Sequence, residues 1–333
     1  MNAEAQLERR ATRPPFSGVL VAAVTAIISG VSVFANSYGV HSVSSPAVYT
    51  TAKNLVATLV LAGAAFGAAR VRARRRGSMA ANFVTGVSEG HVALGVGGWL
   101  GLAYVGVVGG GLAFVLFFEG LARSEAASAA FWRDTLVLWV ALLAIAFLRE
   151  RVRWWNVTAM ALLIVGEVTL TGGVGHLGAN TGELLIVGSS VLWAIEVVVA
   201  RTLLRTMAPA TLALVRMGVG ALTLTCYLAT TGALAQLGAL DASQVRWVLW
   251  TGLLLGGYVA TWMTALGRAR ALDVTSILVA SALITWSLQW AAGTVSPAPA
   301  WLGIALIALG AGLVIVAGMS GGARGARRSA STS

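Results

Sequence analysis

Ten apolar runs of about 20 residues, joined mostly by short loops whose arginines alternate, constrain this chain more than any other feature. The runs lie near 16–38, 46–68, 97–119, 126–148, 154–173, 182–204, 208–231, 246–267, 273–293 and 299–319. A helix rising ~1.5 Å per residue needs about 20 apolar residues to cross the ~30 Å hydrocarbon core of a bilayer. Lipid offers the backbone no hydrogen-bond partner, so each run must satisfy its own amides, and a helix does this. The composition agrees: 58% hydrophobic against 11% charged residues, with a mean hydropathy of +0.83. A soluble domain could not cover itself with so little polar surface. Forty glycines fit this reading, because small residues let membrane helices approach closely. The expected fold is an all-α membrane protein with ten transmembrane helices.

The formal charge of +11 would suit nucleic acid if it formed one patch. Its distribution argues against that partner. Eighteen of the 23 basic residues fall in the N-terminal tail and in Arg70–Arg76, Arg149–Arg153, Arg201–Arg205, Arg268–Arg270 and Arg324–Arg328. The opposite loops hold Arg123 and Arg246 alone. Basic residues favour the cytoplasmic side, so both termini are expected there and the number of spans is even. The first run follows Arg9, Arg10 and Arg13, as in a signal peptide. It continues to about Tyr38 without a small-residue cleavage site, and so reads as a retained helix. One cysteine, Cys226, excludes an internal disulfide and a thiolate metal cluster. The three histidines fall at loops or helix ends, and no cofactor or metal is expected. The chain has no Walker loop, no His-Glu-x-x-His and no Gly-x-Ser-x-Gly. Direct ATP drive and the common hydrolase chemistries therefore lack their residues.

The chain also repeats itself. A shift of 163 puts Pro46 on Pro209 and Lys53 on Arg216. A shift of 147 puts Gly109-Gly110 on Gly256-Gly257, Gly120 on Gly267, Arg123 on Arg270, Trp139 on Trp286 and Trp154 on Trp301. The difference between the shifts, 16, is close to the extra length of the loop after the second run. Five spans per half is an odd number, so the halves must lie inverted, with a substrate site expected near the midplane between them. The organisation is then a cytoplasmic tail at 1–15, repeats at 16–173 and 182–319, and a disordered tail at 320–333.

This pattern resembles the drug/metabolite transporter superfamily, specifically its ten-helix, two-repeat EamA type, over roughly residues 16–319. The carriers are the five-plus-five helices and the basic residue seven positions after a proline in each half (Lys53, Arg216). Others are Ser124-Glu125-Ala126-Ala127-Ser128 at a helix start and Glu150 closing the fourth helix. Glycine-containing final helices, near Gly166 and at Gly310-Ala311-Gly312, complete the set. The chain departs from the family in having Leu136 and Leu283, or their neighbours, where members carry a proline in the fourth and ninth helices. The resemblance implies export of an amino acid, another metabolite or a drug, often driven by protons.

Charges inside the spans are the candidate functional residues, because each costs at least ~2.5–3.5 kcal/mol at the bilayer centre on insertion scales. They are Lys53, Glu119, Arg133, Asp134, Glu167, Glu196 and Arg216. Lys53, the chain's single lysine, lies ~10 Å below the outer end of the second helix. Arg133 and Asp134 reach a similar depth, which makes Asp134 the expected partner of Lys53. Glu196 and Arg216 match in depth in the inner half. Such pairs either satisfy one another structurally or bind and couple, with Asp134 and Glu196 the residues to carry a proton. Glu119, near a helix end, is expected to reach the interface.

Polar stripes mark the helices expected to line a cavity: Thr25, Ser29, Ser32 and Asn36 on the first, and Ser189, Trp193 and Glu196 on the sixth. Tyr258 and Trp262 are neighbours on the eighth, and Ser281 and Thr285 on the ninth. Hydroxyls can equally bond their own helix backbone. Of the twelve tryptophans, Trp132, Trp139, Trp193, Trp262 and Trp286 fall within spans, where they either pack or wall a ligand.

The expected function is that of a secondary transporter in the bacterial inner membrane, exporting a small amphipathic or zwitterionic solute such as an amino acid. Proton coupling stays open. Membrane lipid is a partner, with Arg70–Arg76 placed to meet anionic headgroups. Two other classes remain: a non-transporting membrane subunit or sensor that binds a protein partner, and an intramembrane enzyme, which lacks any buried histidine base.

Overall fold

The structure, a computed structural model, describes residues 16–43, 45–75, 95–124, 131–150, 152, 154–170, 180–294 and 301–330, with side chains at all of these except 16, 72–75, 170 and 318–330. The described residues hold helices and turns and no strand. In chain order the helices are α1 (Phe16–Ser42), α2 (Pro46–Arg75), α3 (Val96–Leu121), α4 (Phe131–Leu148) and α5 (Trp154–Leu170). The second half holds α6 (Thr181–Leu203), α7 (Pro209–Thr230), α8 (Ala242–Arg268), α9 (Ala271–Ala291) and α10 (Trp301–Ala330). Eight are long and apolar enough to cross a membrane, while α5 and α10 carry shorter apolar stretches, Trp154–Thr169 and Trp301–Ala317. The outward faces are apolar: Leu59, Phe147, Leu184 and Leu222 are all largely exposed. Such a surface is what lipid requires.

Local chemistry sets the ends. Pro46 and Pro209 open α2 and α7, where the missing N–H costs nothing. Asn180 with Glu183, and Asp241 with Gln244, form capping boxes at α6 and α8. The N-terminus of α9 takes its cap from the other half, because Glu150 accepts from Ala271 N–H at 3.0 Å and Leu272 N–H at 3.3 Å. The acidic residue that closes the fourth helix thus tethers the ninth. Arg270 and Asn156 complete this network by donating to Asp273, at 2.6 Å and 3.3 Å for the closest contacts.

Several boundaries differ from expectation. α1 and α2 run on to Ser42 and Arg75, and α10 stays helical to Ala330, where a tail was expected from 320. Positions 125–128 of the helix-start motif, the loop beyond Arg75, and Arg151 and Arg153 lie outside the described residues. α4 and α9 are interrupted at Thr135 and Ala280 without any proline. At α4 the Thr135 hydroxyl takes the Trp132 carbonyl at 2.6 Å, and Leu138 N–H bonds the Thr135 carbonyl three residues back. A side chain competing for a backbone carbonyl loosens the helix as a proline would. At α9 the same three-residue bond runs from Leu283 to Ala280.

The two halves are packed by exchange. α3 packs on α6 and α7 of the second half, while α8 packs on α1 and α2 of the first. α4 packs on α6, α9 packs on α1, and α5 pairs with α10. Close approach explains some of the glycines. A Cβ on Gly220 would lie 2.7 Å from Gly110 Cα, so α3 and α7 touch backbone to backbone. On α5 and α10, Gly166 and Gly310 play the same part, each meeting a carbonyl of the other helix 3.0 Å from where a Cβ would be.

Candidate functional site

α3 carries the irregularity around which the site forms. Its middle, Tyr104–Leu112, is wound as a π-helix, a form that often marks functional positions. The glycine-rich run Gly109-Gly110-Gly111 lets α7 and α6 lie against this widened stretch. A Cβ on Gly109 would come within 2.7 Å of Glu196 Cγ and closer still to its carboxyl group. The space a side chain would take belongs to Glu196.

Glu196 and Arg216 are brought together as the sequence predicts. Arg216 Nε donates to Glu196 Oε1 and Nη2 donates to Oε2 at 3.0 Å, a two-pronged pair with both side chains buried. Arg216 Nη2 also donates to the Gly109 carbonyl at 3.3 Å, and Trp193 Nε1 donates to that same oxygen at 3.0 Å. Trp193 packs edge-on to Phe114 with centroids 5.3 Å apart, and the Arg216 guanidinium sits 5.5 Å from the Phe114 ring. Removing either member of such a pair strands a charge, at a cost of about 3–5 kcal/mol.

Lys53 is placed differently from expectation. Its partner is Asn36, whose Oδ1 accepts from Nζ at 3.0 Å, and not Asp134. Asn36 is locked by donating from Nδ2 to the Ser32 carbonyl at 2.7 Å, so its oxygen must face the lysine. The Tyr49 hydroxyl donates to that oxygen at 2.8 Å and lies 2.9 Å from the Thr251 hydroxyl. Rings close the remaining sides, Phe118 at 4.2 Å and Tyr49 at 5.2 Å from Nζ. Lys53 is only 3% exposed.

Asp134 instead pairs with its neighbour Arg133, which donates Nε and Nη2 to Oδ1 at 2.9 and 2.7 Å. Equal depth predicted a cross-helix pair, but the adjacent guanidinium reaches the carboxylate without crossing the bundle. Asp134 Oδ2 is buried with no hydrogen-bond partner among the described residues. Asp134 and Glu167 line a cavity of about 30 Å³ with Phe131, Leu138, Leu163 and Val279, large enough for a water molecule. Tyr258 lies within electrostatic reach of both ion pairs, Arg216–Glu196 and Arg133–Asp134. It stacks on Trp262, with ring centroids 6.0 Å apart. α8 therefore brings a stacked aromatic pair to the neighbourhood of both ion pairs.

The remaining candidates fall outside this cluster or serve packing. Trp132 offers its carbonyl to the Ser190 hydroxyl at 3.3 Å, a link between α4 and α6. Thr285 donates to the Gly30 carbonyl at 3.0 Å and ties α9 to α1. Thr25 bonds its own helix at the Val21 carbonyl. Trp286 stacks on Trp290 and meets Trp301, both well exposed. Glu119 bonds Arg123 at 2.6 Å on the surface. Sequence reasoning missed Tyr49, Phe114, Phe118 and the Gly109 carbonyl. The aromatic spacing 114, 117, 118 on one face of α3 was the available signal.

The chemistry the arrangement offers is that of paired charges and aromatic faces, with a water-sized cavity beside Asp134. Among the described residues no cluster of three histidine, cysteine, aspartate or glutamate side chains forms. A solved crystal structure 18% identical to the chain superposes with a TM-score of 0.68, covering 90% of this chain and 98% of that one, and so shares its fold. No curated protein matches. Residues 16–172 and 180–316 each match the EamA-like transporter family. The chain is thus a two-repeat member of the EamA-like transporter family, a multi-pass membrane protein whose cargo class is a small molecule.

Proposed function

We propose that the protein is a secondary transporter that exports a small organic solute by alternating access around the Arg216–Glu196 and Arg133–Asp134 pairs. The observation that carries this reading is the convergence of buried charges, Trp193, Tyr258 and Trp262 where helices of the two halves exchange partners. In this proposal all ten helices span the membrane and the halves are inverted, with both termini cytoplasmic. The reciprocal packing of α3 and α8 on the opposite half supports inversion. The interruptions of α4 and α9 at Thr135 and Ala280 supply the points that bend. The positive-inside distribution supports a bacterial plasma membrane orientation with eighteen arginines on the inner side.

Trp193, Tyr258 and Trp262 contact the cargo in this scheme, with Arg216 and Glu196 exchanging bonds with each other and with the solute. Asp134 carries the coupling proton, because its Oδ2 has no hydrogen-bond partner among the described residues and Asp134 lines a cavity together with Glu167. The test is counterflow in liposomes holding the purified protein, with a labelled panel of amino acids and other metabolites, with and without a proton gradient. Saturable exchange of one solute, abolished in Glu196→Gln, is the expected result. Gradient stimulation lost in Asp134→Asn is expected for coupling. Absence of exchange of every solute, from folded protein, would overturn the transporter reading.

A further inference from the structure

Three cationic side chains lie deep in the bundle, and two of them are neutralised by the protein. Arg216 has Glu196 and Arg133 has Asp134. Lys53, the most buried of the three at 3% exposed, has no carboxylate among the described residues. Its ammonium has three N–H donors, and one is used, on Asn36 Oδ1 at 3.0 Å. The rings of Phe118 and Tyr49 stabilise the charge by their quadrupoles, but neutral groups leave the net charge in place. The homologous positions make the contrast specific. Lys53 and Arg216 each stand seven residues after the proline that opens the second helix of a half. Each bonds a residue of the first helix of its own half and faces an aromatic ring of α3. Where the second half supplies the carboxylate Glu196, the first supplies the amide Asn36.

We propose that Lys53 is the anchor for the carboxylate of the transported solute, which makes the cargo a monocarboxylic acid. This rests on the transporter reading above and names its substrate class. A single compact ammonium suits one negative charge, whereas a dianionic phosphate calls for an arginine fork or several cations. Among the described residues no acidic group faces Lys53 to receive the ammonium of an amino acid, so that ammonium is dispensable.

The probes are benzoate, L-leucine and N-acetyl-L-leucine, against L-leucinamide and benzyl alcohol, on the full-length protein. Two readouts are taken: thermal stabilisation in detergent and counterflow in liposomes. The acids should stabilise the protein and exchange at concentrations about tenfold or more below the amide and alcohol. N-acetylation should leave this preference standing. Lys53→Met should abolish it while raising the unliganded melting temperature, because an uncompensated buried charge is removed. Asn36→Asp should abolish it too, since the new carboxylate would occupy the ammonium from within, and Lys53→Arg should retain it. Equal responses to acids and to the amide would overturn the assignment and leave the transporter standing, as would a Lys53→Met protein that melts lower yet keeps the acid preference. Acid-specific stabilisation without flux of any probe would support the anion site and overturn the transporter reading.

Discussion

Neutralising Glu196 alone should harm the protein far more than neutralising Glu196 and Arg216 together. In Glu196→Gln the Arg216 guanidinium loses its two-pronged carboxylate, keeping the Gly109 carbonyl at 3.3 Å and the Met217 sulfur at 3.6 Å. Both side chains are almost wholly buried, at 6% and 4% exposed, so water cannot replace the lost bonds. A stranded buried charge costs about 3–5 kcal/mol, and Arg216→Met strands the carboxylate at a similar cost. The double substitution Glu196→Gln/Arg216→Met leaves two neutral groups of nearly the original volume, and its cost should fall to about 1–2 kcal/mol. The cycle therefore predicts a double mutant more stable than the sum of the singles by about 4 kcal/mol or more. Reversible unfolding of the purified protein in mixed detergents, followed by tryptophan fluorescence, measures all four corners. Additivity within about 0.5 kcal/mol would refute the claim that the two charges are one unit. If the pair also binds cargo, the folded double mutant should transport nothing.

Three further outcomes follow from the geometry. Gly109→Ala should mimic Glu196→Gln, because its Cβ displaces the carboxyl group; an apparent melting temperature within a degree or two of the wild type would show that Glu196 can move without loss. Glu150→Gln should cost about 1 kcal/mol, as loss of an N-terminal cap does, and hydrogen exchange should show it as faster exchange at Ala271 and Leu272. Unchanged protection there would mean α9 holds its own end. Glu119→Gln and Arg123→Gln should each change stability by less than about 0.5 kcal/mol, since their pair is exposed. A larger loss would place that pair in a contact absent from the structure described.

What the sequence reveals depends on how local the determining physics is. Hydrophobic run length is a property of about 20 consecutive residues, so the helices are legible, eight of them long and apolar enough to span, while ends such as Ser42 and Arg75 are not. The Glu196–Arg216 pair is legible too, because consecutive antiparallel helices joined by a short turn bring equal depths together. Asp134 breaks that logic. Depth alone cannot choose between Lys53 across the bundle and Arg133 next door, and the nearer partner is found without ordering two helices against each other. Thr135 and Ala280 interrupt their helices through hydroxyl and three-residue backbone bonds that no proline announces. The cap that Glu150 lends to α9 spans more than a hundred residues, and only the packed fold relates the two.

Repetition with a changed partner separates what the fold requires from what it leaves unsatisfied. The same device, a proline followed seven residues later by a cation, occurs in both halves. In the second half its charge is cancelled by Glu196, so removing Arg216 costs stability. In the first half the cation meets an amide and two rings, and folding would gain from replacing it with an apolar side chain. A residue that opposes the fold yet sits locked by Asn36, Tyr49 and Phe118 is positioned for something other than folding. Phe114 and Phe118 stand one turn apart on α3, with stacked rings 6.4 Å between centroids, and each faces one of the two cations. Any shift of α3 against α2 and α7 therefore alters the surroundings of both charges at once, and the uncompensated one has the more to gain from a new partner.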